Sequence, residues 1–117
     1  MKLIRYLPIL IGLMMLVCGL VLMCFPPKEI NGVYGYRTTR SYSSQKCWDY
    51  AQKYSARVIV LSSACLLGIC GVVCCVEHYL NASDFSAVIV NSILVVMMSF
   101  IVIALVICLT ERALAKM

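Results

Sequence analysis

The side chains able to do chemistry gather in one stretch, residues 31–51, which reads Asn-Gly-Val-Tyr-Gly-Tyr-Arg-Thr-Thr-Arg-Ser-Tyr-Ser-Ser-Gln-Lys-Cys-Trp-Asp-Tyr-Ala. Arg37 stands first among them. With Gly32 and Gly35 loosening the backbone before it, its guanidinium can grip a phosphate or carboxylate through paired hydrogen bonds. The competing reading of the same residue is a charge that sets topology or neutralises a lipid headgroup. Asn31 and Thr38 are suited to hold the loop's own backbone by local side-chain bonds. Tyr34, Tyr36 and Tyr42 can rest their rings at headgroup depth with their hydroxyls in water, and Trp48 reads as an interfacial anchor.

A second set lies further along. Cys70, Cys74 and His78 fall at i, i+4 and i+8 on one helix face, a spacing that could present soft ligands to a metal. Three ligands rising over about 12 Å of helix cannot reach one ion without partners from elsewhere, so no metal and no cofactor are expected. Glu77, His78 and Asp84 could form an acid–base cluster. An eight-residue turn at a membrane edge is also an ordinary place for such residues. The eight cysteines lie mostly in apolar runs, where thiols act as small packing residues, and a disulfide scaffold is not expected.

The elements that must position these groups are membrane helices. Of 117 residues, 63% are hydrophobic and only 13% charged, more apolar surface than a small soluble domain can hide. Three uncharged runs, 7–25, 58–76 and 85–110, are long enough to cross about 30 Å of hydrocarbon at about 1.5 Å per residue. The first also resembles a signal peptide in following Lys2 and Arg5. Its length and the lack of a small-x-small cleavage site favour a retained helix, with Pro8 in the first turn and Pro26-Pro27 ending it.

The fold class is therefore all-α, a membrane protein of three transmembrane helices in a single domain spanning 1–117. Helix 1 is placed at about 4–25, a structured polar loop at 26–44, helix 2 at about 45–78 and helix 3 at about 83–113. Helix 2 starts after Ser43 or Ser44 as N-cap. It runs out of the membrane, with Trp48, Ala51, Ser55 and Ile59 on one face and Lys46, Asp49, Lys53 and Arg57 on its polar face. Ala64 with Gly68, and Gly71 with Cys75, form small-x-x-x-small pairs that would permit close helix approach, and Asn91, Ser92 and Ser99 should face protein rather than lipid. With so little interior in three helices, a second copy is a candidate partner. The N-terminus and the 77–84 turn hold Lys2 and Arg5, whereas the loop and tail hold eight of the ten basic residues. That distribution places the N-terminus outside and the loop and C-terminus in the cytoplasm. The net charge of +5 is read as membrane topology, and no nucleic acid is expected as a partner.

The pattern Asn31-x-x-Tyr34-Gly35-Tyr36-Arg37-Thr38, followed by Ser43, Trp48 and Ala51, resembles the signature of the SdpI family of small bacterial integral membrane proteins. The resemblance departs at Thr39-Arg40, where a Pro is expected at the first position. It implies a bacterial cytoplasmic-membrane protein conferring immunity to a membrane-active toxic peptide, and able to bind a cytoplasmic regulator. It also groups Asn31, Tyr34, Gly35, Tyr36, Arg37, Thr38 and Trp48 into one binding site, with no catalytic residue. The alternative is an intramembrane enzyme or small carrier using the loop or the Glu77/His78 edge. A polar cavity lined by Arg37 and Asn91 would favour that alternative.

Overall fold

The computed structural model describes residues 3–117; Lys2, one of the two basic residues counted at the N-terminal end, lies outside the described residues. After a 3-10 turn at Ile4–Tyr6, α1 spans Leu7–Cys24, α2 Gln45–Tyr79 and α3 Asp84–Ala115. No strand occurs among the described residues. All three helices are long and apolar enough to cross a membrane.

Each helix end has a local cause. Pro8 occupies the first turn of α1, where its missing N–H removes no helical bond. The Ser44 hydroxyl caps α2 by accepting from the Cys47 N–H at 3.1 Å. Ser83 caps α3 by accepting from Ser86 N–H at 3.3 Å, with Asp84 adding negative charge to the first turn. Between α2 and α3 the chain turns tightly on Asn81, whose φ of +50° lies in the left-handed region that Asn tolerates. The Asn81 N–H donates to His78 O at 3.2 Å and the Ala82 N–H to Glu77 O at 3.0 Å, a paired closure that satisfies the last carbonyls of the helix.

The bundle is long and thin, 54 × 24 × 19 Å, because α2 has 35 residues and so extends about 52 Å. It is the central helix, packed along both neighbours, while α1 and α3 touch each other less. Since α1 is apolar on every side, composition does not choose its contact face; its glycines do. A Cβ on Gly12 would meet Leu67 Cδ2 at 2.9 Å, and one on Gly19 would meet Ile59 Cγ2 at 2.8 Å and the Val60 backbone N at 3.2 Å. Two turns apart, these residues let the α2 backbone and side chains come close, a packing mode suited to lipid, where dispersion rather than the hydrophobic effect holds helices together.

The small-residue pairs read from α2 do not serve that purpose. Gly68 and Gly71 have nothing within 4 Å of where a Cβ would stand, and Ala64 and Cys75 are exposed on the surface of the bundle. On α3, Asn91 is buried as expected, along with Ala87, Val102, Val106, Thr110 and Leu114. Ser99 is only half-buried and Ser92 is exposed. Ser92 needs no protein partner because its hydroxyl donates to Val88 O one turn back, at 2.7 Å.

Candidate functional site

The loop from Phe25 to Ser44 owes its shape to the mismatch in helix length. Gly19 lies opposite Ile59–Val60 and Gly12 opposite Leu66–Leu67, so the antiparallel register brings the end of α1 level with about Tyr54. Roughly ten residues of α2, or about 15 Å, project past it. The loop folds back over this projection, and α2 holds it by its backbone. The Trp48 Nε1–H donates to Pro27 O at 2.9 Å, and Gln45 Nε2 donates to Lys28 O at 2.6 Å. Gln52 closes a two-point clamp on Tyr36, accepting from its N–H at 2.6 Å and donating to its carbonyl at 2.8 Å.

Gly35 makes the clamp fit. Its φ is +102°, and a Cβ there would strike Gln52 Oε1 and approach Pro27 Cγ to 2.8 Å; both the conformation and the space require glycine. Gly32 has open space around it. Asn31 does what its type suggests: its Oδ1 accepts from the Val33 and Tyr34 N–H groups at 3.0 and 2.8 Å, and its Nδ2 donates to Glu29 O at 3.0 Å. Tyr34 Oη donates to Phe25 O at 3.0 Å.

From the other side α3 contributes Glu111. Its Oε1 accepts from Thr38 Oγ1 at 2.6 Å and from Tyr36 Oη at 2.9 Å, and its Oε2 lies 3.4 Å from Arg40 Nε. Burial, together with the adjoining Glu111 carboxylate, pushes the Tyr36 phenol well above its ordinary pKa, so Tyr36 acts as a neutral donor. Thr38 also closes its own turn, its N–H donating to Ser41 Oγ at 2.8 Å and its carbonyl accepting from the same hydroxyl at 2.8 Å.

Trp48 departs from the interfacial reading. It is fully buried, stacked against Tyr42 with ring centroids 5.6 Å apart at 22°, and its role is to hold the loop rather than to face headgroups. Once these bonds are assigned, Asn31, Tyr34, Tyr36, Thr38 and Trp48 are engaged within the protein. Arg37 is different. It is exposed, one guanidinium nitrogen donates to Gly32 O within the loop, and it enters no ion pair among the described residues.

Gln52, Ser41 and Glu111 were not among the residues singled out by sequence. Gln52 carried a usable signal, being a Gln four residues after Trp48 on the face of Ala51 and Ser55. Glu111 carried a weaker one, as an acid that closes a long uncharged run.

The opposite end of the bundle holds the other ionisable set. Arg5 Nε lies 3.3 Å from Glu77 Oε2 and Arg5 Nη1 3.9 Å from Asp84 Oδ1. Asn91 Nδ2 donates to Glu77 Oε2 at 3.3 Å and to Arg5 O at 3.2 Å. Arg5, read as a topology charge, is thus also a tie between all three helices. His78 is exposed, Cys70 buried and Cys74 half-buried; no three His, Cys, Asp or Glu side chains converge among the described residues. Arg37 and Asn91 sit at opposite ends of the molecule.

The strapped loop and the three helices coincide with a known family. The model of the SdpI/YfhL protein family matches residues 28–110. The chain belongs to the SdpI/YfhL family. Among curated relatives, the uncharacterized protein YfhL of Bacillus subtilis (strain 168) is 47% identical over 57 residues, 49% of this chain and 52% of that protein. The chain thus spans about half the length of that relative. No solved structure matches it. With family and helices in agreement, the chain is a multi-pass membrane protein of the SdpI/YfhL type.

Proposed function

We propose that this SdpI/YfhL-type protein confers immunity to a membrane-active toxic peptide by binding an anionic group of that peptide at Arg37, on the bacterial cytoplasmic membrane. The observation that carries the reading is the division of labour in the loop. Asn31, Thr38, Trp48, Gln52 and Glu111 hold the backbone rigid, and Arg37 is left exposed at its surface without an acidic partner among the described residues. Such preorganisation lowers the ordering entropy of a complex and leaves a planar donor set for a carboxylate or phosphate.

With eight basic residues at the loop and tail end, the loop is assigned to the cytoplasmic face. There it would meet the part of an inserted peptide that reaches the inner interface. A cytoplasmic regulator would meet the same surface.

The test is protection of toxin-exposed cells expressing Arg37→Lys or Arg40→Lys at matched membrane levels. Lys keeps the charge of Arg37 but loses the fork, and one lost charged hydrogen bond weakens binding about tenfold or more. Arg37→Lys should therefore abolish most protection. Arg40→Lys, whose exposed pair with Glu111 tolerates either cation, should retain it. Equal protection by both would reduce Arg37 to a topological charge and end the proposal.

A further inference from the structure

Where α2 and α3 project together past α1, they enclose an open cleft of about 720 Å3. Lys46, Tyr50 and Tyr54 line it from α2. They recur every four residues on the side roughly opposite Gln45, Trp48 and Gln52, so the cleft is separate from the motif loop. Arg112 of α3 and Lys116 just past its end line the other side, more than fifty positions away in sequence. All three cations are exposed, and the ion pairs among the described residues use Arg5 and Arg40 instead. The wall between them is aromatic, with Tyr50 and Tyr54 stacked at 5.8 Å and 21°.

We propose that this cleft binds a phosphate monoester carrying an apolar or aromatic group, with the phosphate between Lys46, Arg112 and Lys116 and its substituent on Tyr50 and Tyr54. Three cations lining one cleft suit a dianion better than a single carboxylate, and Arg112 can hold two phosphate oxygens at once. Depth allows two sources. Tyr54 lies four residues, about 6 Å, before the uncharged run that begins at Val58, and Lys46 twelve residues, about 18 Å. The cleft thus starts within the headgroup layer, about 5–7 Å thick on each side, and opens into water. A lipid phosphate can enter from below and a water-borne phosphate from above.

The test is calorimetric titration of the full chain in neutral detergent, with phenyl phosphate in one arm and phosphatidic acid dispersed in the micelles in the other. Lys46→Gln/Arg112→Gln/Lys116→Gln should weaken binding at least tenfold. Lys28→Gln/Lys53→Gln/Arg57→Gln removes the same charge elsewhere and should leave affinity within about threefold. Tyr50→Leu/Tyr54→Leu keeps every charge and should weaken phenyl phosphate. If the cleft triple does not fold, Lys46→Gln alone must still weaken binding. Tighter phosphatidic acid assigns a lipid headgroup, and tighter phenyl phosphate a soluble ligand. Binding of neither probe, or equal loss in the two charge-matched triples, overturns the site.

Discussion

Gln52 illustrates how one side chain can hold a whole loop in place. It is fully buried and satisfies both backbone groups of Tyr36, the residue immediately before Arg37. Replacing it with Leu keeps the volume and strands an N–H and a carbonyl, each orphaned group costing about 1–3 kcal/mol. Gln52→Leu should therefore release the loop without unfolding the helices. The measurement is limited proteolysis in detergent, with cleavage after Arg37 or Arg40 appearing in the variant while helical circular dichroism stays unchanged. A loop equally resistant in both proteins would show that Gln52 is not what holds it. At this scale the sequence was informative where a residue acts on its own neighbours, as Asn31 does. It was silent where the partner is distant: Tyr36 with Gln52 and Thr38 with Glu111 are meetings created by the register of α2 and α3.

The same division holds for the helices. Their number and membrane-crossing character follow from the three uncharged runs, because length and apolarity are local properties. Which faces meet is not local. Ala64, Gly68, Gly71 and Cys75 have the spacing of a close-packing seam yet pack closely on no other helix of the chain, whereas Gly12 and Gly19 of α1 provide the contact. Spacing alone could not separate them, since small residues satisfy the pattern on either helix. The energetic consequence is asymmetric. Gly19→Val would drive a branched side chain into Ile59 and the Val60 backbone, and overpacking of this kind costs about 1–3 kcal/mol or more. Gly68→Ala meets only open space and removes a flexible residue from a helix interior, for a gain of about 0.5–1 kcal/mol. Thermal unfolding in detergent should show a clear fall in Tm for the first and no fall for the second. A matching loss in both would return the α2 seam to the protein interior.

For the whole molecule, the two ends differ in kind. One is a tie, where Arg5, Glu77 and Asn91 lock the three helices together with paired, partly buried charges. The other is a display, where the motif loop and the α2–α3 cleft present cations that, Arg40 excepted, have no acidic partner among the described residues. Orientation therefore decides what the protein can meet. Basic residues are retained on the cytoplasmic side, and the displayed end carries eight of ten, so the loop should face the cytoplasm. In a cysteine-free background, Val33→Cys marks the loop at a side chain 89% exposed, and Leu80→Cys marks the opposite turn at one 68% exposed. Neither side chain makes a hydrogen bond, and Leu80 closes α2 through its backbone N–H, which Cys keeps, so labelling reads position rather than damage. With an impermeant maleimide on intact cells, Leu80→Cys should react and Val33→Cys should react only after permeabilisation. The reverse pattern would turn Arg37 and the cationic cleft outward. Under the proposed function the peptide would then be intercepted before it enters the bilayer, and soluble partners of the displayed end would have to be extracellular.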